Sequence, residues 1–169
     1  MTRRFWLILV LFLLCLTAEA RRAERIVLEP RTATELNVLL SAVDGLHSNL
    51  IRQDDEQVDV SLRDIEVATK NTREVSSRMK PHERTHLMRN LESIDASVGV
   101  ARNSGHSDRR DRIADIFNTT ANLVRVYSVD SRFKIFFCAR DKMTWIQTKS
   151  IGQHPLNESG ERECALRAP

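Results

Sequence analysis

The sequence predicts a mainly α fold: an up-down-up-down four-helix bundle with a small C-terminal β-hairpin and loop tied by a disulfide. Three observations predict it. Apolar residues recur at helical intervals through four consecutive stretches, the period changes to two after Asp130, and a pair of cysteines, Cys138 and Cys164, brackets the tail. The length of 169 residues and a hydrophobic share of 41% suit a single core.

Residues 1–20, MTRRFWLILVLFLLCLTAEA, differ in kind from the rest. Arg3 and Arg4 precede an apolar run from Phe5 to Leu16, and Ala18-Glu19-Ala20 supplies the small-x-small pattern of a cleavage site. These are the charge, length and terminus of a secretory signal peptide. A run of about 12 apolar residues falls short of the roughly 20 that span a bilayer. Cleavage near Ala20 is therefore expected, leaving no stable membrane span and a secreted or periplasmic location. Residues 21–31 are polar, with Pro30 near their end, and read as a flexible lead-in.

The bundle is expected over residues 32–128. Thr32 and Glu35 have capping-box spacing, and Leu36, Leu39, Leu40, Val43, Leu46 and Leu50 line the first stretch. Polar DDEQ (54–57) breaks it. The second stretch carries Val58, Leu62, Ile65, Thr69, Thr72, Val75 and Met79 on one line. Pro81 opens the third, where a missing N–H is tolerated, and Leu87, Leu91, Ile94, Val98 and Ala101 form its stripe. NSGHS ends it, with Gly105 suited to a left-handed cap. Ser107 and Asp108 start the fourth, with Ile113, Ile116, Phe117, Thr120, Leu123, Val124 and Tyr127 inward. Each stretch is about 20 residues, or roughly 30 Å of helix. The short connections predict antiparallel neighbours.

Residues 129–169 are expected to form the hairpin and disulfide-closed tail, packed against one end of the bundle. Phe133, Ile135 and Phe137 alternate with Lys134, Phe136 and Cys138; the chain turns at ARDK and resumes at Met143 and Trp145. Phe136 and Ile146 then need a cover, either the terminal loop or a partner. In an exported chain the two cysteines left after cleavage are expected to pair, which stabilises by roughly 3 kcal/mol in the chain-entropy description. FKIFFCARDKMTWIQT, followed by a Pro-Leu-Asn loop and a late cysteine, resembles the tail of a group of small exported proteins of predatory bacteria with no assigned activity. The resemblance covers about 35 residues and implies a secreted or envelope location.

His82-Glu83-Arg84-Thr85-His86 spells H-E-x-x-H, the motif in which two histidines one turn apart hold zinc and a glutamate activates water. Its surroundings speak against that use. Pro81 places it in a first helical turn, Arg84 brings positive charge between the histidines, and Arg89 stands where an extended metzincin pattern has glycine. The histidines fall on the polar flank of the Leu87–Leu91–Ile94 stripe. Glu83 with His86, and Asp44 with His47, also have the spacing of di-iron bundles, but the stripes offer no further inward carboxylates. His106 and His154 read as solvated loop residues. Neither metal nor cofactor is expected.

With a formal charge of +3 and no basic run, nucleic acid is not an expected partner. The function expected is an exported, non-enzymatic interaction module that binds a protein or envelope component, with Phe136, Trp145 and Ile146 as the candidate surface. A secreted four-helix cytokine-like signal is the first alternative, and a zinc hydrolase using His82, Glu83 and His86 the second. Asn118 and Asn157 match the glycosylation pattern, relevant in a eukaryotic source.

Overall fold

The computed structural model describes residues 25–156 and 166–167. The signal-peptide stretch, Cys164 and Asn157 lie outside the described residues. Four helices follow one another: α1 (Pro30–Ile51), α2 (Asp55–Val75, continued by a 3-10 turn at Ser76–Arg78), α3 (Pro81–Asn103) and α4 (His106–Val126). The apolar stripes read from the sequence are the buried faces, from Leu36 and Leu39 through Leu62, Ile65, Leu91 and Ile94 to Phe117 and Leu123. Among the described residues, no helix is long and apolar enough to cross a membrane.

The connections show why successive helices fold back. After α1 the chain passes through Gln53 at φ 56. Gln53 N–H bonds Leu50 O and Asp54 N–H bonds Asn49 O, the Schellman closure, with glutamine in the left-handed place glycine usually takes. Asp54 at once caps α2, its Oδ1 accepting the Gln57 N–H at 3.1 Å. Cross-helix pairs then run in opposite directions: Asn49 with Ser61, Arg73 with Asp95, and Tyr127 with Glu83. Such short connections leave no room for the long crossovers of a cytokine bundle.

Two expected caps are not used. Helix α1 starts at Pro30 with Glu29 before it and no side-chain cap, so Thr32 lies inside the helix, fully buried. Gly105 is extended, at φ −65 and ψ 172, and precedes α4 as its N-cap rather than closing α3 in the left-handed region. The segment expected to be a flexible lead-in is docked from Ile26 onward. Ile26 forms a parallel bridge with Tyr127, bonding Val126 O and the Ser128 N–H at 2.8 Å each, and Leu28 joins the core.

Strands β1 (Lys134–Cys138) and β2 (Met143–Gln147) form the expected hairpin, turning at residues 139–142 with Lys142 at φ 52. A two-residue strand, β3 (Leu166–Arg167), adds to the other edge of β1. The hairpin does not sit at an end of the bundle. Helices α1 and α4 touch little directly, and β2 lies against both, filling the seam between them. Mid-helix contacts hold it there: Asn118 of α4 accepts the Thr144 N–H at 2.7 Å, and Asp44 of α1 accepts both the N–H and the hydroxyl of Thr148.

The register divides the hairpin differently from the sequence expectation. Ile135 pairs with Ile146 and Phe136 with Trp145, so Phe136 and Ile146 lie on opposite faces. Ile146 turns to the helices. Trp145 turns to residues 148–156, its ring meeting that of His154, and Phe136 stacks on Trp145 on the same face. Phe136, Trp145 and Ile146 are 2%, 0% and 0% exposed, so the aromatic surface expected to meet a partner is core. A strand buried on both faces needs two covers, and the chain supplies the second itself.

Candidate functional site

Polar side chains gather where α1, the hairpin and the 148–156 loop meet. Gln147 is fully buried at the centre. Its Oε1 accepts from Trp145 Nε1 at 3.1 Å and the Gln153 N–H at 3.2 Å, while its Nε2 donates to Lys149 O and Ile151 O at 3.0 and 2.6 Å. One amide thus makes every hydrogen bond its two ends favour and binds the loop to the strand. Asp44 anchors the loop's start at Thr148, and His47 Nε2 reaches Gln153 O at 2.8 Å while its ring meets Phe117 edge-on.

His154 closes the loop. It is 1% exposed, against the expectation of a solvated histidine, and its ring lies 5.1 Å from that of Trp145. Nδ1 accepts the Leu156 N–H at 3.2 Å, so in the neutral ring Nε2 carries the proton. That nitrogen is buried 3.2 Å from Asp141 Oδ2 without an aligned hydrogen bond. Burial holds both His47 and His154 below the ordinary histidine range.

Cys138, Asp141 and His154 bring one ligand-type atom each within 4.8 Å of one another. Their chemistry does not suit a cation. With Nδ1 occupied by an N–H and Nε2 protonated, the ring has no free lone pair to offer, and Cys138 is already engaged. The arrangement is an Asp–His pair beside an aromatic cover.

The H-E-x-x-H residues do different work. His82 is exposed, its Nε2 3.7 Å from a Glu83 carboxylate oxygen. The Tyr127 hydroxyl donates to Glu83 O at 3.1 Å and sits 3.1 Å from His86 Nδ1, which is therefore the donor in that bond. Glu83 and His86 thus clasp the end of α4 to the start of α3. Among the described residues, His82, Glu83 and His86 do not converge as a metal set. Burial, with a smaller contribution from the Glu83 charge, raises Tyr127 to about 12. Tyr127 is the chain's one tyrosine, so phenolate absorbance reads it directly. The folded chain should ionise near pH 12 and the urea-unfolded chain near 10. The unfolded state loses its proton first, so this contribution to stability is complete below about pH 10 and is lost as pH rises toward 12. A folded midpoint near 10 would show that the clasp is open in solution.

A groove of about 580 Å³ lies elsewhere, between α2 and α3, which meet less extensively than the α1–α2 and α3–α4 pairs. Its walls carry both signs. Arg73 pairs with Asp95 at 3.4 Å and Glu92 at 4.0 Å, and Glu66 pairs with Lys70 at 2.7 Å and with Arg102. The Lys70 hydrogen bond, aided by Arg102, holds Glu66 below the usual carboxylate range. At Gly99 a Cβ would meet nothing within 4 Å.

Sequence reasoning noticed Asp44 and His47 only as a weak metal spacing and missed Gln147 and His154. Nothing local marks them, since their partners lie about 100 residues away or in the loop. Asn118, matched by the glycosylation pattern, is half-buried with its carbonyl oxygen committed to Thr144. The chain matches no protein-family model, no curated protein and no solved structure.

Proposed function

We propose that the protein is an exported, non-enzymatic helical interaction module whose α2–α3 groove takes a charged segment of a protein or envelope partner. The observation that carries this reading is the pairing of the groove. Its charges are satisfied by surface ion pairs, exposed or half-buried, of a kind worth about 0–1 kcal/mol where solvent reaches them, so a partner presenting both signs exchanges them at little cost. The histidines and carboxylates that could do chemistry are instead engaged in holding the fold: His86 at Tyr127, His47 at Gln153, Asp44 at Thr148.

Export is supported by the apolar leader and by the resemblance of the tail to exported proteins. A Cys138–Cys164 bridge belongs to the same proposal. Cys138 is fully buried, and β3 pairs Leu166, two residues after Cys164 in sequence, with Phe137.

Two measurements test the reading. The chain recovered outside the cytoplasm should begin near residue 21 and carry an oxidised cysteine pair. A photocrosslinking residue at Gly99 should give one discrete adduct, and the same residue at Val38, on the exposed side of α1, none. Adducts from neither position, or peptide hydrolysis that disappears in His86→Ala, would overturn the proposal.

A further inference from the structure

The 148–156 loop closes over two buried histidines, and His154 holds it through a hydrogen bond that exists only while its ring is uncharged. We propose that His47 and His154 form a pH-sensitive latch, which releases residues 148–156 and uncovers Trp145 when the surroundings turn mildly acidic.

The geometry of His154 carries most of the argument. Its Nδ1 accepts the Leu156 N–H, so a second proton on the ring must go to that nitrogen. Two N–H donors would then face each other across 3.2 Å, and the bond that ends the loop would be lost. The ring is also shielded from solvent, lying buried against Trp145, and burial disfavours a charge there. The groups facing it are of mixed sign. Asp141 favours the cation, while Arg110 on α4, Arg140 in the hairpin turn and His47 on α1 oppose it. Burial outweighs the lone carboxylate, and the protonated ring is disfavoured in the closed state.

His47 adds the second part. It is 2% exposed and reaches the carbonyl of Gln153, next in the chain to His154. Asp44 on its own helix favours its charge, and Lys149 on the loop opposes it. Here too desolvation dominates. The His47 Nε2–H donates to the Gln153 carbonyl in the neutral and the charged ring alike, so a second proton, on Nδ1, spares the bond. Charge on His47 disfavours the closed loop through lost solvation alone, partly offset by the Gln153 bond and Asp44.

The sign follows from the direction of the shifts. An opened loop exposes histidines that titrate near 6.5, whereas the closed loop holds both below that value. The closed form is therefore fully favoured above about pH 6.5, and its advantage falls as pH drops below that value. One histidine gives up to about a ten-fold gain in the open fraction per pH unit, and two give up to about 100-fold. The helices hold no buried histidine besides His47 among the described residues, so the response is local to the loop.

Hydrogen exchange of the full chain, read by peptide and corrected for the intrinsic pH effect, tests the latch. Between about pH 7.5 and 5.5, exchange over residues 148–156 should rise about ten-fold or more, with peptides of α2 and α3 unchanged. His154→Gln keeps an acceptor and a donor but cannot titrate, and should remove most of the rise; adding His47→Gln should remove the rest. Asp141→Asn, a change at a partly exposed side chain, deletes the carboxylate that eases protonation of the closed ring. It should leave the loop further open than wild type at about pH 5. A flat wild-type profile, a rise that survives in the double variant, an Asp141→Asn loop no more open than wild type, or a rise shared equally by all helices would each overturn the proposal. The wild-type and Asp141→Asn profiles decide the matter even if a histidine variant does not fold.

Discussion

Trp145→Ala is expected to cost about 3–5 kcal/mol of folding stability, the largest loss from a single truncation in the hairpin. The indole is fully buried between the hairpin and the loop. It stacks on Phe136 with centroids 6.0 Å apart, tilts against His154 at 5.1 Å and donates to Gln147 Oε1. Removing it opens a cavity that strand and loop cannot both collapse into, because the helices fix one and Gln147 the other. Urea unfolding followed by far-ultraviolet circular dichroism measures the loss. Val67→Ala, at a position 57% exposed on α2, serves as the comparison and should stay within about 0.5 kcal/mol of wild type. If Trp145→Ala costs less than about 1 kcal/mol, the hairpin is not part of the common core.

Gln147→Leu should be nearly as severe, at about 2–3 kcal/mol, although it replaces a polar side chain in a dry site by an apolar one of similar size. The intuition that a buried leucine helps fails here because four partners are orphaned at once: Trp145 Nε1, the Gln153 N–H, Lys149 O and Ile151 O. The loop groups recover water by lifting away, which limits the loss; the indole N–H does not. The variant should therefore expose residues 148–156 to exchange at neutral pH, before any histidine is protonated. Gln147→Glu should do no better, since a carboxylate cannot donate to the two carbonyls and brings a charge into the core. Neutral stability with an unchanged loop in Gln147→Leu would show that the amide network is incidental.

Leu36, Leu62, Leu91 and Phe117 announce their helices because each repeats with its own neighbours three and four residues away, and that spacing alone dictates a face. The alternation around Ile135 and Trp145 announces a hairpin in the same way. A capping box at Thr32 and a left-handed Gly105 were also legible as patterns, yet neither is used. Pro30 starts the helix three residues before a Thr32 cap would, and the chain leaves α3 in an extended conformation. Local chemistry proposes such devices, and the path of the next element decides whether they are needed.

What the sequence by itself determined is the set of elements: four amphipathic helices with short connections, then a two-stranded turn-back. All of it depends on residues within a few positions of one another. Only the tertiary structure decided what each element faces. It placed the hairpin in the seam between α1 and α4, put Trp145 under the chain's own loop, drew His154 out of water and left His82 in it. Burial depends on what lies opposite in space, and for Asp44 and His47 that is a loop about 100 residues further along. No periodicity carries information over that distance, because the partners are brought together by packing rather than by spacing.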